Sequence, residues 1–184
     1  MLGITGIALT LLMAAAVVYY WEFVRALEGY GYLGAFIVSV LGGATVLIPV
    51  PMLAVVFALG GVMKFTWIVG LAAGLGETIG ALTIYFTGYE SGSVFYHGRP
   101  GRLRSFYLKL MKLMEKRGSL TLFLLSAILN PFFYPVALAA GAVRFGVKKY
   151  ILVSLAGKTI KGLTVAYGGY WGLQWLLRAM GMPG

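Results

Sequence analysis

A few polar side chains lie inside otherwise apolar segments, and they are the first candidates for chemistry in this chain. Glu77 is the one charged residue in the apolar run 67–89, and Lys158 and Lys161 lie three residues apart in the last apolar run. Residues three apart share one face of a helix. An ionisable group at membrane depth is costly unless it is paired or hydrated, so it marks a functional site by default. We expect these residues either to form an ion pair that clasps two helices or to bind a lipid phosphate.

Asn130 is a further candidate, because it directly precedes Pro131 where an apolar stretch is interrupted. Its side chain is expected to cap a half-helix or, as the functional alternative, to bind a lipid headgroup with its amide beside helix N-termini that favour anions.

Enzymatic chemistry is not expected. The chain has no Asp, no Cys and one histidine, His97, in a polar loop. A nucleophilic enzyme needs a nucleophile beside a base, and a metal site needs clustered ligands. We therefore expect no catalytic residue, no metal and no cofactor.

The composition predicts a membrane protein. Of 184 residues 60% are hydrophobic and 11% are charged, and mean hydropathy is +0.90. Soluble domains carry about 25% charged residues. We expect an all-α, multi-pass protein of the cell membrane that forms a single integral domain over 1–184. The net charge of +10 indicates anionic membrane lipids as partners rather than nucleic acid. The oligomeric state stays open, with a homo-oligomer among the alternatives.

The stretch Leu41–Gly61 predicts a helix that breaks inside the membrane. It is apolar, but Pro49 and Pro51 interrupt its middle. Proline removes a backbone donor and clashes with the preceding turn, so we expect a re-entrant hairpin of half-helices, about 33–47 and 52–59. One kinked spanning helix is the alternative. The stretch Gly118–Ala142 repeats the pattern, and the predicted hairpin tips are Pro49, Pro51, Pro131 and Pro135.

Three further segments complete the predicted architecture. The apolar stretch within 1–28 predicts a retained N-terminal transmembrane helix, and Trp67–Tyr89 predicts a second spanning helix that ends at a polar linker, 90–104. The segment 99–117 predicts a basic amphipathic helix in the membrane interface, which either docks on anionic lipid or serves only as a positively charged connector. The basic residues assigned to the interface are Arg104, Lys109, Lys112, Lys116, Arg117 and, after the second hairpin, Arg144.

An internal repeat relates residues 32–90 to residues 118–177. Gly76–Tyr89 and Gly157–Tyr170 are identical at seven of fourteen positions, and Glu77 aligns with Lys158. Each repeat would comprise one re-entrant hairpin and one spanning helix. Since each repeat then crosses the membrane once, the two repeats must be inverted. The positive-inside rule places the basic connector in the cytoplasm.

These motifs resemble the DedA/VTT superfamily, which includes the SNARE-associated Golgi protein domain. The resemblance covers about 32–170 and rests on the Pro-x-Pro hairpin, on Gly76-Glu77 with the Tyr85–Gly92 pattern, and on Pro131 followed by Ala140–Phe145. It implies two facing re-entrant loops and lipid movement, as a scramblase or as a translocase of phospholipid or polyprenyl-phosphate. The family's acids beside the first Pro-x-Pro correspond to Ala44 and Leu53, and its arginines to Ile128 and Tyr134. Most of the residues associated with proton coupling are therefore replaced.

Three functions remain in competition at this stage. A lipid translocator or scramblase would pass its substrate near Glu77, Asn130, Lys158 and Lys161. A secondary transporter would bind a small ion or solute at the same inverted-repeat site. An assembly factor would transport nothing.

Overall fold

The structure is a computed structural model that describes residues 31–44, 49–97, 101–129 and 132–179. The expected N-terminal helix within 1–28 lies outside these residues, as do Asn130 and Pro131. The described residues are helical and include no strand, which confirms the all-α class. The helices are α1 (Gly31–Ala44), α2 (Pro49–Val62), α3 (Thr66–His97), α4 (Arg102–Ala127), α5 (Phe133–Ala142) and α6 (Val147–Ala179).

Helices α1 and α2 form an antiparallel hairpin. At its open end, the backbone N–H of Phe65, just after α2, donates to Tyr32 Oη in α1 at 3.1 Å. At its closed end, Gly42 packs on Met52, where a Cβ would lie 2.8 Å from that of Met52. The chain therefore enters and leaves this hairpin at the same end.

The second hairpin pairs the last part of α4 with α5. Helix α4 is interrupted at Arg117, whose φ of −140° and ψ of 37° are not helical, so residues 118–127 form a separate arm after the basic connector. Gly118 packs on the Phe145 ring, which brings the start of this arm to the end of α5. The interruption at Arg117 lies at the end of the predicted amphipathic segment.

Two expected interruptions do not occur. Helix α3 runs through the polar sequence after Glu90 to His97, so the expectation that it ends at Glu90 is wrong. Polar residues do not terminate a helix, and the first proline after α3 is Pro100. Pro135 lies at the third position of α5, and Pro49 and Pro51 lie at the first and third positions of α2, so all three are in helices rather than in the interruptions where they were expected. The first turn of a helix tolerates proline because its N–H groups have no intrahelical partner.

The second arm of each hairpin packs on the long helix of the other repeat. Gly60 of α2 contacts the Ala166 carbonyl of α6, and Gly141 of α5 contacts the Tyr85 carbonyl of α3. Adding 81 to each number of the pair 60 and 85 gives 141 and 166, so the two contacts are equivalent. Phe57–Gly169 and Leu138–Gly88 form a second such pair, because 57 + 81 = 138 and 88 + 81 = 169. This reciprocity is the contact pattern of two-fold symmetry.

The long helices α3 and α6 run antiparallel. Gly70 packs on Leu163, Gly74 packs on Thr159, and Tyr150 Oη donates to the Ala81 carbonyl at 3.2 Å. The residue number falls along α6 as it rises along α3, and Glu77 and Lys158 lie at the centre of the crossing. Because these two residues align in the repeat, each lies opposite its own counterpart.

Helix length separates α3 from the hairpin arms. Within the described ranges, one helical stretch, Thr66–Ser91, is long and apolar enough to cross a membrane. Helices α1 and α2 have 14 residues each and α5 has 10. At about 1.5 Å per residue these arms reach roughly 21 Å or less, short of the roughly 30 Å hydrocarbon core.

Two neighbouring glycines in α6 test the packing of α2 on α6. A Cβ at Gly169 would collide with the Phe57 carbonyl, whereas a Cβ at Gly168 would lie 3.7 Å from the Phe57 ring, an ordinary contact. We expect Gly169→Ala to lower the free energy of unfolding by about 1–3 kcal/mol, the usual cost of overpacking. Gly168→Ala should cause no loss, since alanine favours helix by about 1 kcal/mol. Thermal unfolding in detergent measures both, and equal stability of the two variants would contradict the packing.

Candidate functional site

A single carboxylate oxygen joins two lysines at the crossing of the long helices. Glu77 Oε1 lies 3.1 Å from Lys158 Nζ and 2.6 Å from Lys161 Nζ. Glu77 is in α3 and both lysines are in α6, on one face because they are three residues apart. The predicted pairing of Glu77 with Lys158 is confirmed, and Lys161 is a second partner of the same oxygen.

Burial makes this cluster an unusual electrostatic environment. Lys158 is 0% exposed, Glu77 is 4% exposed, and the Lys161 side chain retains 12% of its accessible surface. Lys158 Nζ also donates to the Glu77 backbone carbonyl at 3.1 Å and lies 4.0 Å from the centre of the Phe133 ring. Lys158 therefore has several partners in a buried site, while Lys161 depends on Glu77 and keeps some access to the surroundings.

The ionised cluster carries an excess of one positive charge. One carboxylate faces two ammonium groups, and no second carboxylate forms an ion pair with them in the described part of the chain. A charge is strongly disfavoured in a low-dielectric environment unless it is compensated. The arrangement can attract an anion, and Lys161 is the ammonium best placed to receive one because it is the less enclosed of the two.

The end of α1 and the start of α5 meet at this cluster. Gly43, near the end of α1, packs directly on the Glu77 carbonyl. Tyr134, at the start of α5, donates its hydroxyl to the Gly42 carbonyl at 3.0 Å, and its neighbour Phe133 lies under Lys158. The site thus combines the middle of two long helices with the ends of two short ones.

The described prolines that were predicted at the hairpin tips lie in two different helices, α2 and α5. Pro49 and Pro51 occupy the first and third positions of α2, directly after the four undescribed residues 45–48. Their positions match the preference of proline for the first helical turn. Pro135 has the equivalent place in α5. Asn130, a candidate substrate residue, and Pro131 lie outside the described residues.

The predicted interfacial cations lie away from the cluster, on the connector and the α5–α6 turn. Arg104 belongs to α4, in its first turn. Arg144 has a left-handed φ of 52° and places its guanidinium 4.9 Å from the centre of the Tyr89 ring. The other four predicted cations of the connector are exposed: Lys109, Lys112, Lys116 and Arg117.

Two aromatic residues of the site were missed by sequence reasoning. Phe133 and Tyr134 follow the break in the second hairpin, and nothing in their local sequence indicates contact with Lys158 or with α1. The available signal was their position, since helix ends at the two breaks were expected to face each other. In the described ranges, no three His, Cys, Asp or Glu side chains are grouped as metal ligands would be.

Comparison with known proteins identifies one family. The model of the VTT domain matches residues 48–171, which include α2 to α5, most of α6 and all three charged residues of the site. No curated protein and no solved structure matches the chain.

The ion cluster gives a ranked set of expected stabilities. Glu77→Gln leaves two ammonium groups without a carboxylate, so we expect it to cost about 3–5 kcal/mol, as breaking buried pairs does. Lys158→Met and Lys161→Met each leave one balanced pair and should cost less, with Lys158→Met the larger loss because Lys158 also binds a backbone carbonyl. Thermal or denaturant unfolding in detergent measures the order.

A double-mutant cycle with Glu77→Gln and Lys158→Met isolates the pair, and Lys148→Met, at an exposed position of α6, is the matched control. We expect the double variant to recover part of the loss, with a coupling of about 0.5–3 kcal/mol. A coupling near zero would show that the two side chains do not stabilise each other.

Proposed function

The chain belongs to the VTT-domain (DedA) family of membrane proteins, and from this premise we propose that it moves lipids with an anionic headgroup across the cell membrane, as a translocator or scramblase. The observation that carries the proposal is the excess positive charge at the Glu77–Lys158–Lys161 cluster. A phosphate-bearing headgroup needs such a charge to leave water, because an uncompensated anion is costly at membrane depth.

The proposed architecture is an inverted repeat with two re-entrant hairpins in a multi-pass protein. Three features support it. The hairpin arms are too short to span the membrane, and the two outer ends of each hairpin lie close to each other. The contacts between the repeats are also reciprocal. In transporters built this way, the substrate site lies near the membrane centre, at the interface of the repeats. The cluster occupies that interface.

The path of the headgroup follows from the exposure of the two lysines. Lys161 keeps part of its surface free, so an incoming phosphate would exchange with the Glu77 carboxylate as its partner. Lys158 would hold Glu77 during this exchange, because it is bound to both the side chain and the backbone of that residue. We propose transport without covalent chemistry, in which the protein supplies charge and a protected path.

The test is lipid exchange in vesicles. Purified protein is reconstituted with fluorescent phosphatidylglycerol or phosphatidylcholine, and an impermeant quencher measures how fast inner-leaflet lipid reaches the outside. We expect faster exchange of phosphatidylglycerol than in protein-free vesicles. Lys161→Gln should slow it at least about tenfold, since a hydrogen bond to a charged group contributes about 1.5–3 kcal/mol.

The matched control is Lys148→Gln, which removes one exposed charge from the same helix and should leave the rate unchanged. Lys148→Gln should keep its melting temperature, and Lys161→Gln should lose less stability than Glu77→Gln, because it leaves the Glu77–Lys158 pair balanced. No acceleration by the unaltered protein, or an unaltered rate in Lys161→Gln, would overturn the proposal. Exchange of free anions without lipid exchange would indicate a solute transporter.

Topology is tested with single cysteines, because the chain has none of its own. We propose that the connector is cytoplasmic and that the turn before α3 faces the opposite side, since basic loops stay inside. An impermeant maleimide added to intact cells should not label S105C in the connector, but it should label K64C in the turn. Both positions are exposed, and both cysteines should react after the membrane is permeabilised. Labelling of S105C in intact cells would refute the orientation.

A further inference from the structure

A surface pocket lies where the basic connector meets the second hairpin. It has a volume of about 580 Å³ and opens beside the interruption of α4 at Arg117. Its walls come from both sides of that interruption, from the turn after α5 and from the first turn of α6. Small-molecule sites have about this size. The Glu77 cluster does not line this pocket, so it is a second place at which a ligand could bind.

The charges that line the pocket favour an anion. Lys116, Arg117 and Lys149 are exposed at its edge, and Glu115 is the single acid among the lining residues. In the described part of the chain, none of these cations forms an ion pair with a carboxylate, although Lys149 Nζ lies 4.7 Å from the centre of the Phe145 ring. The pocket therefore presents three ammonium or guanidinium groups against one carboxylate.

The apolar part of the pocket distinguishes a lipid from a free anion. Leu120, Val143 and Phe145 line it beside the cations. Leu120 is 53% exposed and Leu124, one turn further along the same arm, is 47% exposed. These leucines share a helix face, so they extend the apolar surface away from the charged edge. A free phosphate would use the cations alone, whereas a phospholipid would use both parts.

We propose that this pocket binds one anionic phospholipid, with its phosphate at Lys116, Arg117 and Lys149 and the start of an acyl chain along Leu120 and Leu124. The bound lipid would hold the connector against the second hairpin, because its phosphate would contact Lys116 on the connector and its acyl chain would contact Leu120 and Leu124 on the arm after the Arg117 interruption. The proposal concerns binding and does not depend on lipid movement. A protein that fails the exchange assay could still hold this lipid.

Native mass spectrometry of the purified full-length chain tests the proposal with phosphatidylglycerol, phosphatidylcholine of the same chain length, and inorganic phosphate as probes. The pocket variant carries Lys116→Gln, Arg117→Gln and Lys149→Gln. The matched control carries Lys109→Gln, Lys112→Gln and Lys148→Gln, three exposed cations of the same helices that do not line the pocket. Both variants lose three charges, so they differ only in where the charges lie.

We expect the unaltered chain to retain phosphatidylglycerol in preference to phosphatidylcholine. The pocket variant should bind phosphatidylglycerol at least about tenfold more weakly, since each cation near a lipid phosphate contributes measurably, and the control should change less than about threefold. Equal losses in both variants would overturn the proposal in favour of unspecific attraction to the basic connector. Displacement of the lipid by millimolar inorganic phosphate would also overturn it, because the ligand would then be the anion alone.

A second measurement keeps all charges in place. Ser119 lines the pocket, so S119C introduces a single thiol there in a chain without cysteine. Phosphatidylglycerol in nanodiscs should slow maleimide labelling of S119C severalfold relative to phosphatidylcholine, whereas S105C, outside the pocket, should label equally in both. Equal labelling of S119C in the two lipids would overturn the proposal even if the triple variant did not fold.

Discussion

The fold depends on bringing two long helices close enough to enclose a charged cluster. Lys158 and Glu77 are almost fully buried, and their attraction offsets the cost of leaving water only at short range. Gly70, Gly74 and Gly162 line the crossing, and side chains at the first two positions would collide with α6. The small residues permit the close approach, and the ion pairs stabilise the helices at that distance, so the two features favour the same geometry.

The hairpin ends face a related constraint, because a helix end leaves backbone groups without partners. In a membrane those groups must be satisfied by protein or by enclosed water. The Tyr134 hydroxyl, from the second repeat, supplies a donor for the Gly42 carbonyl in the last turn of α1. A polar side chain of one repeat thus completes the backbone of the other, next to Phe133, which contacts Lys158.

Several of these features were predictable because they are local or repeated. The repeat aligned Glu77 with Lys158, and the prolines indicated that the apolar stretch 41–61 is divided between two helices, α1 and α2. The partner of each hairpin arm could not be predicted, because packing of α2 on α6 depends on contacts about 100 residues apart. The extension of α3 to His97 was missed for another reason: polar composition indicates exposure, not the end of a helix.

The second arm of each hairpin packs on the long helix of the other repeat, and this has a consequence for the order in which the helices can pack during synthesis. Helix α5 emerges after its partner α3 and can pack at once, but α2 emerges before the 84 residues 63–146 that precede its partner α6. At 5–20 residues per second, translation of that interval takes roughly 4–17 s. Throughout this time the face of α2 that carries Phe57 and Gly60 has no place to dock within the chain. A structure with matched halves is therefore assembled in an unmatched order, because the second arm of the first hairpin waits for its partner helix whereas that of the second hairpin does not.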